Sequence, residues 1–344
     1  MDPLFSQLLD HIIPGVRSRK TLGEMPHQVR GGGYIPAENP SDIDGRIKQL
    51  SYSSLLTLHA CPKKFQLSRL RYAGSEAADP IKELTFSFGH AVGDSVQAAL
   101  DLDKSTESII LDLFLKWDSP ITLVDTKRKK SLVHAIHALQ LFRGMQSAGF
   151  LEDWEPLLYN GVPARELSYS IELDHEFKNR GFVDAVLIHK RTKEVRVIEI
   201  KTDGAPAVNP AKYKNSSQAV GYSTVLDTIC PGTSSYEVLY LVYSTVKQEW
   251  LVFPFQKNNL SRAIWLRQLK FDVDHIIEYE REGVYPQHGE SCLDFNRECP
   301  YIQVCNLDPA NLAVPYDKEL HKDRTQYQIQ LKFDDLIEAQ LGKE

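Results

Sequence analysis

In the stretch GFVDAVLIHKRTKEVRVIEIKTDG, residues 181–204, an aspartate (Asp184) stands in one alternating segment. A glutamate and a lysine (Glu199 and Lys201) stand two apart in the next. At the two-residue period of a β-strand, Glu199 and Lys201 project from the same face. Fourteen residues separate Asp184 from Glu199, a gap that a short hairpin closes. Two carboxylates and one ammonium then share a patch of sheet. The carboxylates raise each other's pKa unless a cation sits between them, and a hard divalent ion such as magnesium or manganese suits oxygen ligands. The chemistry this permits is metal-assisted phosphodiester hydrolysis. The ion polarises the phosphate and lowers the pKa of a water, while the lysine orients or activates that water and offsets developing charge. A solvent-facing Glu–Lys pair beside an unrelated aspartate is the competing reading of the triplet alone.

The elements that must hold these residues are legible from period and punctuation. ELSYSIELDHEF, GFVDAVLIHK and EVRVIEIKT read as three sequential strands, with turns at Lys178-Asn179-Arg180-Gly181 and Arg191-Thr192-Lys193. A helix from about 216 to 228, two strands (YEVLYLVYST and EWLVFPF) and a helix from about 258 to 282 follow. Upstream, LSYSSLLTLHACPKKFQLSRL predicts a helix capped by Ser53 or Ser54, with Cys61 near its end before Pro62. Residues 83–147 carry a helical pattern in which Leu132, Ile136 and Leu139 form a core-facing stripe. His134 and His137 on that segment have no acidic or cysteine neighbour in sequence and read as surface or core histidines. The fold class expected is α/β (α+β), a mixed central sheet flanked by helices. Residues 1–50 form an N-terminal extension with a short amphipathic segment and the connector HQVRGGGYIPAENPSDIDGR. The core occupies 51–290 with a helical insertion at about 100–160, and 307–344 is a polar tail, extended or helical.

GFVDAV followed by VIEIKTD resembles the PD-(D/E)XK nuclease superfamily, and within it the RecB-like exonuclease group that includes CRISPR-associated exonucleases. The resemblance implies a restriction-endonuclease-like core, Asp184 and Glu199 as metal ligands and Lys201 as the catalytic lysine. The family also carries a Q-x-x-x-Y signature on the helix after the hairpin. SSQAVGYS supplies it as Gln218 and Tyr222, DNA-positioning residues one helical turn apart, with Lys214 extending the stripe if the helix starts early enough. On an earlier helix the family commonly has a glycine followed four residues later by a metal-binding histidine. Here FGHAVGDSVQAAL places Gly93 where the histidine would stand after Gly89. Either His90 takes over the task, or the metal relies on the two carboxylates, a backbone carbonyl and water.

Composition agrees with a globular protein. The chain has 344 residues and a net charge of −6, so bulk charge does not coat nucleic acid, although local clusters such as Lys63-Lys64 and Lys127–Lys130 exist. MDPLFSQLLDHIIPGV lacks the pattern of a signal peptide and no apolar run is long enough to span a membrane, so a cytoplasmic protein is expected. Three of the five cysteines, Cys292, Cys299 and Cys305, crowd into SCLDFNRECPYIQVC, while Cys61 and Cys230 stand apart. In a reducing compartment the trio reads as metal-binding rather than as a disulfide framework, with zinc or plain reduced thiols as alternatives. Some RecB-like nucleases carry a 4Fe-4S cluster held by one cysteine before the core and three after it, and this layout is similar. The resemblance thus implies Cys61, Cys292, Cys299 and Cys305 as ligands, with 291–306 closing onto Cys61, and leaves Cys230 outside.

The expected activity is that of a metal-dependent DNA exonuclease acting on ends or single strands. The resemblance implies work in recombination, repair, phage replication or CRISPR adaptation, with a recombination or helicase partner. A non-catalytic DNA-end-binding or complex-forming subunit, and a structure-specific endonuclease, are the alternatives.

Overall fold

The computed structural model describes residues 37–70, 80–117, 129–231, 235–294, 297–307 and 325–341. The N-terminal amphipathic segment, the first half of its connector, and Lys127 and Arg128 of the basic cluster lie outside them. The described residues divide into two compact units. One holds 37–49, 53–70 and the described part of 272–307; the other holds 50–52, 80–271 and 325–341.

The larger unit is built on a mixed sheet of the expected class. Strands β1 (Arg165–Glu172), β2 (Lys178–His189) and β3 (Val195–Asp203) form an antiparallel meander. β4 (Ser235–Ser244) then runs parallel to β3, and β5 (Glu249–Asn258) pairs antiparallel to β4. The three strands and the turn at 191–193 fall where the period placed them. The first turn does not. The chain reverses at 173–177, where His175 and Glu176 adopt positive φ, and Lys178–Gly181 already belongs to β2. Gly181 sits opposite Tyr169 in β1, and a Cβ on it would lie 2.7 Å from the Tyr169 hydroxyl oxygen. The glycine that reads as a turn signal is therefore a seat for an aromatic ring crossing the ladder.

The C-terminal segment, expected to be extended or helical, is both. Ile329–Lys332 (β6) adds parallel to the outer edge of β1, and helix α8 (Phe333–Leu341) follows it. The order is thus β6-β1-β2-β3-β4-β5.

Helices cover one face of this sheet. The long helical pattern resolves into α3 (Pro80–Ala99), α4 (Thr106–Lys116) and α5 (Leu132–Ser147), the second capped by the Ser105 hydroxyl accepting from the Ser108 N–H at 3.2 Å. Phe88, Val92 and Val96 of α3 share a core with Leu132, Leu139 and Phe142 of α5 and with Ile198 and Ile200 of β3. The expected helical insertion is thus a layer of the main core. His134 and His137 are ordinary packing histidines. One pairs with the Ser131 hydroxyl at 2.8 Å, the other with the Tyr243 hydroxyl at 3.3 Å.

Helix α6 (Ser217–Ile229) contacts β3, β4 and β5, and Gly221 lets the Trp265 ring of α7 (Asn259–Glu282) approach it. A Cβ at 221 would come within 2.9 Å of that ring. Gly221→Ala is expected to lower stability by about 1–3 kcal/mol through overpacking, despite the helix propensity gained. A urea titration reads the change.

In the smaller unit the expected single helix over 50–70 is two. α1 (Tyr52–Ala60) ends before Cys61 and α2 starts at Pro62, running to Leu70. Proline accepts the first helical position, where its missing N–H is not needed. Ser53 and Ser54 lie inside α1, not at its cap. Around this break, Lys63 N–H donates to Pro286 O at 3.0 Å and the Ser291 hydroxyl to Ala60 O at 2.6 Å. Leu67 and Tyr301 form a small core against Cys299 and Val304.

Candidate active site

Period two along β3 sorts its side chains between two environments. Ile198 and Ile200 enter the helix-covered core, and Glu199, Lys201 and Asp203 take the opposite face. Asp184 lies one step beyond the last paired residues of β2 and β3, Ala185 and Ile198. Its Oδ2 accepts from the Ile200 N–H at 2.7 Å, so a side chain takes the donor that a continued ladder would have used. The hairpin opens at that point, and the two carboxylates and the lysine meet there.

The Lys201 Nζ is 2.5 Å from Glu199 Oε1, with Glu199 fully buried and 34% of the Lys201 side chain exposed. Apart from this ion pair, neither oxygen of Glu199 makes a hydrogen bond of normal geometry. Burial first, and then the Glu199 charge, push the Asp184 carboxyl well above the usual carboxylate range. Burial likewise raises Glu199 in spite of Lys201 and of the Tyr222 hydroxyl beside it. Burial pulls Lys201 down, but Glu199 and Asp184 outweigh it and hold the ammonium charged. The site therefore holds excess negative charge in a buried place, with orphaned carboxylate oxygens, which is the donor set a divalent cation satisfies.

Gln218 and Tyr222 are brought to this face by α6. Gln218 Nε2 donates to the Tyr222 hydroxyl at 2.6 Å, and the Tyr222 ring is 3% exposed. Its hydroxyl pKa is pushed well up by burial and then by Glu199 and Asp184. Lys214 does not extend the stripe. It closes a separate turn, Ala211–Lys214, and is exposed. His90 is exposed on α3, one residue from the point where that helix crosses β3 (a Cβ on Gly89 would lie 3.8 Å from Thr202 Oγ1). Among the described residues no three His, Cys, Asp or Glu side chains form a metal-holding group.

Several neighbours carried no clear signal. Glu166 lies in β1 between the pairs Arg165–Ala185 and Leu167–Val183, beside Asp184, at φ 47°, and its Oε1 accepts from Gln97 Nε2 at 2.6 Å. Asp203 continues the alternation of Glu199 and Lys201 and could have been found from it. Its Oδ2 accepts from Lys212 Nζ and from the Tyr213 hydroxyl, both at 2.9 Å. Tyr240 stands opposite Glu199 in the parallel ladder and reads in sequence as an ordinary strand residue.

The cysteines are all unpaired. Cys61 is buried, Cys299 and Cys305 are half-buried, and Cys292 is exposed. The four candidate ligands belong to the smaller unit. The Cys299 N–H donates to Cys292 O at 2.8 Å, and the Cys61 Sγ is 4.0 Å from Pro286 O. The Cys305 thiol is raised by burial and then by Cys61, with Cys299 and Cys292 adding to the effect. They do not stand as a preformed metal-holding group. Cys230 lies in the larger unit, its thiol raised by burial.

A model of the PD-(D/E)XK nuclease superfamily matches residues 49–306. No curated protein matches the chain. Among solved structures, the crystal structure of SSO0001 is 14% identical and aligns at a TM-score of 0.32, over 76% of this chain and 87% of that one. A candidate exonuclease from Eubacterium rectale is 10% identical and aligns at 0.42, over 85% and 99%.

Proposed function

Because the chain belongs to the PD-(D/E)XK nuclease superfamily, we propose that it is a metal-dependent DNA exonuclease that cuts phosphodiesters at DNA ends or in single strands. The observation that carries this is the meeting of Asp184, Glu199 and Lys201 on one face where the hairpin opens. Asp184 and Glu199 would hold a magnesium or manganese ion, which their buried carboxylates and the unsatisfied oxygens of Glu199 suit. When bound, the ion polarises the phosphate and lowers the pKa of a water. Lys201, held charged by the two carboxylates, stabilises the negative charge that develops on the phosphate oxygens. Gln218 holds the Tyr222 hydroxyl beside Glu199; through them a strand laid along α6 is aligned with the carboxylates. Among the described residues no helix is long and apolar enough to cross a membrane.

In the same reading Cys61, Cys292, Cys299 and Cys305 hold a 4Fe-4S cluster. Support comes from the thiol donor set, its confinement to one unit and the influence of Cys61, Cys299 and Cys292 on the Cys305 thiol. Such a cluster ties residue 61 to residue 305 and closes a long loop. Anaerobically purified protein is expected to be brown, and Cys305→Ala to lose iron and melt earlier. A colourless protein with stoichiometric zinc rejects the cluster.

The nuclease reading is tested on linear and circular DNA, single- and double-stranded, with magnesium or manganese. Metal-dependent loss of linear DNA from its ends is expected. Binding without any digestion favours a scaffolding subunit, and cutting of circles or branches favours an endonuclease.

A further inference from the structure

Beside Lys201, on the same face of the sheet, lies a pocket of about 110 Å³ lined by Tyr52, Lys201, Thr202, Lys212, Tyr213, Ser216 and Tyr240. All of these residues belong to the larger unit. The side chains that face it are rich in donors: two ammonium groups and the hydroxyls of Tyr52, Tyr213, Ser216 and Tyr240, with no carboxylate among them, while Thr202 turns its own hydroxyl towards Gly89 on the other face. Tyr213 is already committed, its hydroxyl donating to Asp203 Oδ2 at 2.9 Å. Lys212 gives one of its three protons to the same oxygen, and 63% of its side chain is exposed, which leaves the others available.

Tyr240 is the decisive residue. It is fully buried, yet its hydroxyl has no hydrogen-bond partner among the described residues; the Ser216 hydroxyl lies beside it without the geometry of a bond. A buried hydroxyl left unpaired costs about 1–3 kcal/mol, which an acceptor brought in from outside would recover. In the parallel ladder Tyr240 stands opposite Glu199, so whatever enters the pocket lies next to the proposed metal ligands. Two ammonium groups beside an unpaired tyrosine hydroxyl, with no carboxylate lining the pocket, suit an oxyanion, and the group with that chemistry repeated along the proposed substrate is the phosphodiester.

We propose that this pocket is a second phosphate subsite, holding a non-scissile phosphate of the substrate strand next to the one that Lys201 serves, with Lys212 as its cation and Tyr240 as its buried donor. The inference rests on the nuclease reading above. It adds a positioning role: a strand gripped at two neighbouring phosphates is fixed in register along the sheet.

The test is anisotropy of a short fluorescein-labelled single-stranded oligonucleotide in EDTA, where no cleavage occurs. It uses wild type, Tyr240→Phe and Lys212→Met. Tyr240→Phe removes only a buried hydroxyl that makes no bond, so its melting temperature should equal or exceed that of wild type while its Kd rises severalfold. Lys212→Met should raise Kd about tenfold, the scale of one charge-assisted hydrogen bond. The same losses should persist on an abasic oligonucleotide, which keeps its phosphates. Comparing strands with a 5′-phosphate and a 5′-hydroxyl identifies the source. Losses confined to the phosphorylated strand assign the pocket to the terminal group; losses on both assign it to an internal phosphate. In magnesium, the effect should appear in KM. Wild-type Kd in both variants overturns the subsite, and so does a loss that vanishes on the abasic strand, which would make the pocket a base site. If wild type cleaves nothing while the variants lose affinity, the nuclease reading falls and the subsite stands.

Discussion

Lys201→Ala is expected to reduce metal-dependent DNA digestion by about a thousandfold while leaving DNA binding within a few-fold of wild type. The magnitude follows from removing one preorganised charge aimed at an oxyanion in a buried place. Gel-based digestion of linear DNA measures the loss, and anisotropy measures the binding. The same change has a stability signature. Glu199 is fully buried and the Lys201 ammonium is its ion-pair partner at 2.5 Å. Without it, Glu199 faces Asp184 with no cation. Its carboxyl, already raised by burial, then rises further. A group whose pKa is higher folded than unfolded contributes its stability at low pH and loses it as pH climbs. Lys201→Ala in EDTA should therefore lose more thermal stability at pH 8 than at pH 6. Unchanged digestion would remove Lys201 from the chemistry.

Asp184→Asn separates catalysis from folding in the opposite sense. An asparagine oxygen can keep accepting from the Ile200 N–H, the bond Asp184 makes at 2.7 Å, while one of two mutually repelling charges disappears. Digestion should fall below detection. In EDTA at neutral pH the melting temperature should rise by about 2–4 °C, the equivalent of roughly 1 kcal/mol. The sign follows from the raised Asp184 pKa, caused by burial and then by Glu199. The wild-type carboxyl destabilises the metal-free fold once pH exceeds its ordinary range, so the gain should shrink as pH is lowered towards 5. Magnesium or manganese should reverse the ranking, stabilising wild type and not the variant. A destabilised Asp184→Asn in EDTA would mean that the charge is not in excess.

How far the sequence carried these conclusions depends on where each signal lies. That Glu199 and Lys201 share a face was legible because alternation fixes the faces of a strand; that Asp184 joins them came from the likeness of GFVDAV and VIEIKTD to a nuclease pattern, since the triplet alone reads equally as a solvent-facing pair beside an unrelated aspartate. The central strands and α6 were legible for the same periodic reason. The turn before β2 was not: LDHEF lacks glycine, proline and asparagine, and its reversal is made by His175 and Glu176 at positive φ. Asn179 and Gly181, which carry the turn chemistry, were claimed instead by the ladder and by the Tyr169 ring. Tyr240 was invisible because a tyrosine in an apolar strand reads as core, and only its place opposite Glu199 gives the unpaired hydroxyl meaning. His90 followed from a spacing within one helix, and its exposure depends on packing that no spacing records.

The pairing of Ile329–Lys332 with the far side of β1 sets a timetable for biogenesis. Ser168 and Gln328 clasp this join through their side chains, the Ser168 N–H donating to Gln328 Oε1 at 3.0 Å and the Gln328 N–H to Ser168 Oγ at 3.1 Å. During synthesis at typical rates the ribosome needs roughly ten to thirty seconds to travel from β1 to its late neighbour. Throughout that interval the nascent sheet shows an open row of backbone donors and acceptors to any passing chain. Chaperone demand should therefore be concentrated in that window, and slowing translation between codons 172 and 329 should lower soluble yield without altering the finished enzyme.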